Sequence, residues 1–358
     1  MHYMRFIPFL IVSISLALSA AGADYKIELL SPSGRSATEV LINKSGSVVF
    51  TLAPEEAKFP GEAFLWDGDT TTSLGSLGGE LFVATGINDG GQIVGYGETT
   101  NRTLHSFLFT TGQLQDLGPI GPEGSVARAI NDLGDIVGEL PANGSATVFL
   151  RNADGAVDEI GPPHGYQTLA FGVNDLKTVV GTSRMTNVGS FVAFVSRNQQ
   201  MTQLGPKEGG ESIAIAINDN EQIVGIAPTS AGAGHAAYFV EGGLHIDLAS
   251  SSFRSSALAI NNSGTIVGSI EYENGMPHAA LFSLTADPVL LQDLISPQSG
   301  WTALFNATGV NDLGQIVGTG KFGNQPGLRA FLMTPIPEPS SLALVLGTTL
   351  LAALRRRR

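Results

Sequence analysis

One nine-residue string recurs seven times along this 358-residue chain, and that recurrence limits the fold more than any other feature. Its clearest copy reads Ile87-Asn88-Asp89-Gly90-Gly91-Gln92-Ile93-Val94-Gly95. The asparagines that anchor the copies are Asn43, Asn88, Asn131, Asn174, Asn218, Asn261 and Asn311, at spacings of 45, 43, 43, 44, 43 and 50 residues. Ile or Val stands before each of them. Five residues after each comes Val or Ile, then Val in every copy, then Gly in six, with Phe50 as the exception. A unit of this length cannot bury its apolar face alone and needs its neighbours, so the period predicts a stacked or circular array.

The string reads as a β-hairpin. β-Branched residues on both sides favour strands, and Asn and Asp fold back onto their own backbone in a turn. Gly46, Gly91, Gly134, Gly264 and Gly314 stand three residues after the Asn, where a left-handed residue is expected. Lys177 and Glu221 replace this glycine in two copies, which predicts turns that are strained or differently built. An apolar run follows, as in His105-Ser106-Phe107-Leu108-Phe109 and Ala330-Phe331-Leu332-Met333. It lacks strict alternation, as expected of a strand covered on both faces. A third run ends in Leu117-Gly118 or its equivalents, and a fourth, such as Ser125 to Ile130, leads into the next Asn. Four short strands in about 43 residues match one blade of a β-propeller.

The ends of the array are complementary. The last apolar run, Ala330 to Met333, has no Leu-Gly run after it, whereas Ile27 to Pro32 precedes the first Asn and is in register with Leu114 to Pro119. The predicted fold is therefore all-β: a seven-bladed propeller over residues 24–334, with the N-terminal strand completing the last blade. Such closure removes open sheet edges. A solenoid or split sandwich is the alternative, and a solenoid would want capping ends.

Composition agrees with many tight turns: glycine is abundant, at 45 residues, and charged residues make up only 14%. Five of the 19 basic residues (Arg5 and Arg355 to Arg358) and one of the 32 acids (Glu338) lie near the two ends, so residues 24–335 carry a net charge of −17. That surface repels nucleic acid and anionic membrane. The absence of cysteine excludes disulfides, thiol catalysis and thiolate metal sites.

Both ends read as addresses. Residues 1–23 carry a basic Arg5, an apolar core from Phe6 to Leu18 and the small-residue cleavage site Ala21-Gly22-Ala23, so they read as a signal peptide removed before Asp24. Residues 335–358 hold the break Pro337-Glu338-Pro339, the apolar run Ser340 to Leu354 and the block Arg355-Arg356-Arg357-Arg358. The run is short for a membrane helix, and the arginines would stay on the cytoplasmic side.

The order Pro-Glu-Pro, apolar helix, arginine cluster resembles the PEP-CTERM sorting signal of exopolysaccharide-producing Gram-negative bacteria. The resemblance implies passage across the inner membrane, with the tail as a transient membrane anchor, and processing by an exosortase-type protease. The Asn-Asp-x-Gly-x-Ile-Val-Gly string, with His105-Ser106-Phe107 and His278-Ala279-Ala280, resembles the HAF family of extracellular repeats. That resemblance brings no catalytic residue and no ligand.

No nucleophile elbow and no His-Glu-x-x-His helix is present. His105, His235 and His278 lie in the apolar strand and read as structural, while His164 and His245 read as loop residues without a partner. The aspartates Asp89, Asp132, Asp175, Asp219 and Asp312 each stand beside a single Asn, too sparse for a calcium loop, and read as turn formers. Asp67-Gly68-Asp69 is the one denser spot. Trp66 reads as core. The longest insertion (roughly Ser296 to Asn306), with Trp301, is one candidate for a ligand loop, and the loop Arg184 to Gly189 is the other. The expectation is a non-catalytic surface or extracellular-matrix protein without cofactor or metal, meeting exopolysaccharide or surface proteins. A lectin-like propeller and a carbohydrate-active propeller enzyme are the alternatives; an enzyme would gather two or more carboxylates at one mouth of the channel.

Overall fold

The computed structural model describes residues 24–337, apart from 32–34, 54–60, 143–144, 162–166, 185–188, 206–209, 230–231, 233, 241, 251–252 and 274. The proposed export segment with Ala21 and Ala23, the tail residues Glu338 and Pro339, the apolar run after them and Arg355 to Arg358 lie outside the described residues; Pro337 is exposed. Among the described residues no helix is long and apolar enough to cross a membrane.

Strands follow one another almost without interruption. The first, β1 (Tyr25–Leu29), finds its partner at the far end of the chain. The first sheet comprises β2 (Ser36–Ile42), β3 (Val48–Ala53), β4 (Glu62–Trp66) and β5 (Thr71–Ser73). The second comprises β6 (Gly78–Ile87), β7 (Ile93–Thr99), β8 (Leu104–Thr110) and β9 (Gln113–Asp116). The third group is β10 (Val126–Ile130), β11 (Ile136–Ala142), β12 (Ser145–Arg151) and β13 (Val157–Ile160). The fourth is β14 (Gln167–Val173), β15 (Val179–Arg184), β16 (Val192–Arg197) and β17 (Gln200–Gln203), joined to the third by one parallel pair, Ala146 beside Gln167. The fifth is β18 (Ile213–Ile217), β19 (Ile223–Pro228), β20 (Gly234–Val240) and β21 (Leu244–Asp247). The sixth is β22 (Arg254–Ile260), β23 (Ile266–Glu271), β24 (Pro277–Phe282) and β25 (Val289–Leu290), followed by a 3-10 turn at Leu291–Leu294. The last is β26 (Trp301–Val310), β27 (Ile316–Phe322) and β28 (Arg329–Pro335), with β1 as its outer strand. Tyr25 pairs with Pro335 and Leu29 with Phe331, both antiparallel. The N-terminal strand therefore completes the last sheet.

Apolar cores lie between successive sheets. Val49 and Ala63 of the first sheet pack with Phe82 and Ile93 of the second. Val267 and Leu281 of the sixth pack with Leu304 and Ile316 of the last. The series then returns to its start: Val317, Ala330 and Leu332 of the last sheet pack with Val40, Val48 and Phe50 of the first. Sheets covered on both faces need no alternation, which explains the continuous apolar runs.

The Asn turns share one backbone form. Gly46, Gly91, Gly134, Gly264 and Gly314 have φ between 73° and 89°. Lys177 and Glu221 adopt the same left-handed form at φ 60° and 58°, so the turns are not rebuilt. The cost of about 1–2 kcal/mol per residue is offset by side-chain bonds. Lys177 Nζ donates to Asp135 Oδ1 at 3.1 Å and Asn152 Oδ1 at 2.6 Å, and Glu221 accepts from Arg197 at 2.7 Å and Thr178 at 3.0 Å.

The glycine of each Val-Gly pair has a different cause. In six sheets the first strand bulges three residues before the Asn, as between Ala257 and Ala259. The bulge pushes a carbonyl oxygen toward the second strand, and a Cβ on Gly268 would lie 1.9 Å from the oxygen of Ser256. In the first sheet the irregularity falls one residue earlier, between Ala37 and Val40, and there Phe50 fits, fully buried and stacked on Phe64. Gly268→Ala is expected to cost more than about 3 kcal/mol in urea unfolding, because the clash is with backbone that cannot give.

Candidate axial site

The seven Asn turns meet around a common axis. Each Asn Oδ1 accepts the N–H four residues on, at 2.8 to 3.0 Å. Each Asn Nδ2 donates to the carbonyl of the next Asn in the array: Asn43 to Asn88 at 3.2 Å, Asn88 to Asn131 at 2.9 Å, Asn131 to Asn174 at 3.0 Å and Asn174 to Asn218 at 3.1 Å. Asn218 then donates to Asn261 and Asn261 to Asn311, both at 2.8 Å, and Asn311 returns to Asn43 at 3.0 Å. The circle of seven bonds is closed, and all seven asparagines are buried.

A second circle lies just outside it. The N–H of Lys44 donates to Asp89 Oδ1 at 2.7 Å, Asp89 to Asp132 at 2.7 Å, Asp132 to Asp175 at 2.9 Å and Asp175 to Asp219 at 3.0 Å. Asp219 donates to Asn262 Oδ1 at 2.9 Å and Asn262 to Asp312 Oδ1 at 2.8 Å. Lysine has no acceptor, so the last gap is spanned by Lys44 Nζ, 3.9 Å from Asp312 Oδ2. Together these turns line a cavity of about 220 Å³. The aspartates are thus more than turn formers: they tie each copy to its neighbour. The reading within single loops missed this because each partner lies a whole repeat away. The recurrence of Asp in one column of five copies was the available signal.

Burial raises the carboxyls of Asp132 and Asp175 above the usual range, and the neighbouring carboxylates add to it. A raised pKa in the folded state means that the charged form weakens the fold. Stability contributed here is lost as pH rises through the folded values and regained as pH falls. Asn262 shows that an amide accepts the same N–H. Asp132→Asn is therefore expected to raise thermal stability at neutral pH, by less than about 1 kcal/mol after solvent screening. It should also diminish the gain that the parent shows on mild acidification.

In six sheets the bulge sets out one residue three positions before the Asn: Thr85, Arg128, Phe171, Ile215, Leu258 and Thr308; in the first sheet the irregular residues are Thr38 and Glu39, one residue pair farther from the turn. Here the repeat breaks. Arg128 Nε and Nη2 donate to both oxygens of the buried Glu139 at 3.1 and 3.0 Å, and the guanidinium lies 5.6 Å over the Tyr96 ring. Glu39 is exposed by area yet has protein packed about its carboxyl. Burial raises its carboxyl, and Arg128 partly opposes this. Sequence reasoning passed over this column, whose only signal was its irregularity.

The remaining candidates are placed as follows. Trp301 is 4% exposed and sits edge-on to Phe322 and Phe331, at 5.3 and 5.7 Å, as part of β26 rather than of a loop. Its ring faces are closed off inside the core, which corrects the expectation of a ligand loop there. His245 also lies in a strand, β21, rather than in a loop. His105 bonds Asp116 at 2.9 Å and His235 bonds Asp247 at 2.9 Å, tying third strands to outer strands. His164 and residues 185–188 are outside the described residues. Asp67 accepts the N–H groups of Thr70 and Asp69 in a turn, and these bonds hold its carboxyl below the usual range. Among the described residues no group of three His, Cys, Asp or Glu has the arrangement of a metal site.

No protein-family profile and no curated protein matches this chain. Solved structures do. A streptogramin B lyase aligns with a TM-score of 0.55 at 12% identity, over 87% of this chain and 98% of the other. The Pyrococcus horikoshii acylaminoacyl peptidase aligns with a TM-score of 0.56 at 12% identity, over 87% of this chain and 53% of that longer one. At such identities the likeness concerns the fold alone. With the antiparallel sheets set around one axis, it defines the class: this chain is an all-β protein of the β-propeller kind.

Proposed function

We propose that this chain is a seven-bladed β-propeller exported across the inner membrane, serving as a non-catalytic surface or extracellular-matrix protein. The observation that carries this reading is the use of its repeated polar residues. The Asn and Asp side chains of the turns are engaged in joining one copy to the next, so they supply rigidity. Carboxylates do gather at one mouth, as a propeller enzyme would have them. Each of the five accepts a backbone N–H from its neighbour. The connections between second and third strands, such as Glu98 to Thr103 and Pro228 to Gly234, differ in sequence from copy to copy. Variable loops on a rigid frame suit recognition of an extracellular polymer or surface protein.

The tail that resembles a PEP-CTERM signal supports export with removal by an exosortase-type protease. Intact-mass measurement of the secreted protein tests this: the expected product begins at Asp24 and lacks the arginine block. A product that retains Arg355 to Arg358 would overturn the processing. Glycan-array binding by that same product tests polymer recognition, and silence on every glycan leaves adhesion to protein.

A further inference from the structure

The two ends of the described chain leave the ring at one point. The Asp24 carbonyl accepts the Ile336 N–H at 2.9 Å, directly beyond the pairing of Tyr25 with Pro335. That point lies on the face of the Asn turns. β28 runs toward the turn of its own copy, with Met333 opposite Ile316, and Gln315 Nε2 donates to Thr334 Oγ1 at 3.4 Å. The start of β28, with Arg329 opposite Gly320, lies about 20 Å away along the strand.

Both segments that read as membrane-directed attach at this point. The apolar run from Ser340 starts four residues beyond Ile336, a reach of at most about 14 Å. The apolar core that ends at Leu18 stops six residues before Asp24, a reach of about 20 Å. The C-terminal tether is shorter than the sheets are tall, so a bilayer that holds it lies nearer the Asn turns than the opposite end. The same face carries exposed apolar side chains. Leu133, Leu176 and Leu313 stand exposed at turn tips where the other copies have Ser45, Gly90, Asn220 and Ser263. Leu244 at the start of β21, Leu284 just after β24 and Ile336 are exposed at this end too. Scattered apolar residues need no partner, but six at one end, beside the chain's own anchors, suit the interfacial layer of a bilayer. The carboxylates at the mouth favour a neutral lipid surface over an anionic one.

We propose that, until its tail is removed, the ring stands on a neutral lipid bilayer with the Asn-turn face toward the lipid. The opposite end then faces outward, with the connections between second and third strands and the exposed Phe253 and Tyr272 of the sixth sheet. This orientation rests on the export reading and adds which face meets lipid. Fluorescence quenching of the full chain in phosphatidylcholine vesicles tests it. The chain has no cysteine, so Leu313→Cys and Leu284→Cys place a single fluorophore on the Asn-turn face, and Asn324→Cys and Thr100→Cys place one at the opposite end. All four positions are exposed, so the labels disturb no core. A headgroup-bound quencher is expected to act at least about threefold more strongly at 313 and 284 than at 324 and 100, given the ~20 Å between the two ends. Equal quenching at all four positions of vesicle-bound protein, or stronger quenching at 324 and 100, would overturn the orientation and leave the anchor intact. Protein that stays free of the vesicles would overturn the orientation together with the membrane role of the tail.

Discussion

Secreted protein lacking residues 24–31 is expected to melt at least about 10 °C below the parent and to self-associate. β1 covers the edge of β28 over five residue pairs, from Tyr25 opposite Pro335 to Leu29 opposite Phe331. Tyr25 and Ile27 pack on the core between the sixth and last sheets. The segment continues to serve beyond the strand. Leu30 N donates to Ala330 O at 3.0 Å, Ala330 N donates to Ser31 Oγ at 3.0 Å, and the fully buried Arg329 donates to the Ser31 carbonyl. Without the segment, that guanidinium keeps no hydrogen-bond acceptor among the described residues. Two or three apolar side chains at 1.5–3 kcal/mol each and the lost ladder bonds amount to about 5 kcal/mol or more. That is a large part of the stability of a domain. The bared edge offers unpaired N–H and C=O groups to another chain. Thermal unfolding and light scattering check both effects, and added peptide of residues 24–31 should reverse them. Equal melting of the two forms would mean that the ring does not depend on this strand.

Two adjacent residues should differ sharply when truncated. Asn174 is buried, its Oδ1 accepts the N–H groups of Leu176 and Thr178 at 3.1 and 2.9 Å, and its Nδ2 donates to Asn218 O at 3.1 Å. Asn174→Ala removes three hydrogen bonds and leaves buried groups unmatched, at a cost of about 3 kcal/mol. Asn174→Asp keeps the acceptor but turns a carboxylate toward the Asn218 carbonyl, beside Asp175. It should be at least as damaging at neutral pH and partly restored in acid. Asp175 is partly exposed, accepts one N–H and is itself held among like charges. Asp175→Ala should change stability by less than about 1 kcal/mol, since the lost bond and the relieved repulsion oppose each other. Urea unfolding of the three variants measures the contrast. Similar costs for Asn174→Ala and Asp175→Ala would remove the special role assigned to the inner circle.

Much of the architecture was legible because its causes are local. The Asn–Asp turns, the left-handed glycines and the apolar third strands all follow from residues within one copy. Phe50 was an exception without a reason in the string. The reason is the register of β2 against β3, which moves the bulge by one residue and makes room for a ring where the other sheets need glycine. The candidate site was hidden for a related cause. Each Asp of the outer circle meets its partner 43 to 50 positions away in another copy, and nothing in its neighbourhood marks that partner.

The repeated units and their strands were thus determined by the amino-acid sequence, and so was the complementarity of the two ends. Each rests on short-range turn chemistry and on the apolar period, which any single copy displays. The tertiary structure alone decided which residues meet between copies: Asn to the next Asn, Asp to the preceding backbone, and Trp301 into the core. Those contacts depend on the tilt and stagger of every sheet in turn. The offsets accumulate around the ring until Asn311 reaches Asn43, so no local stretch of the chain can specify them.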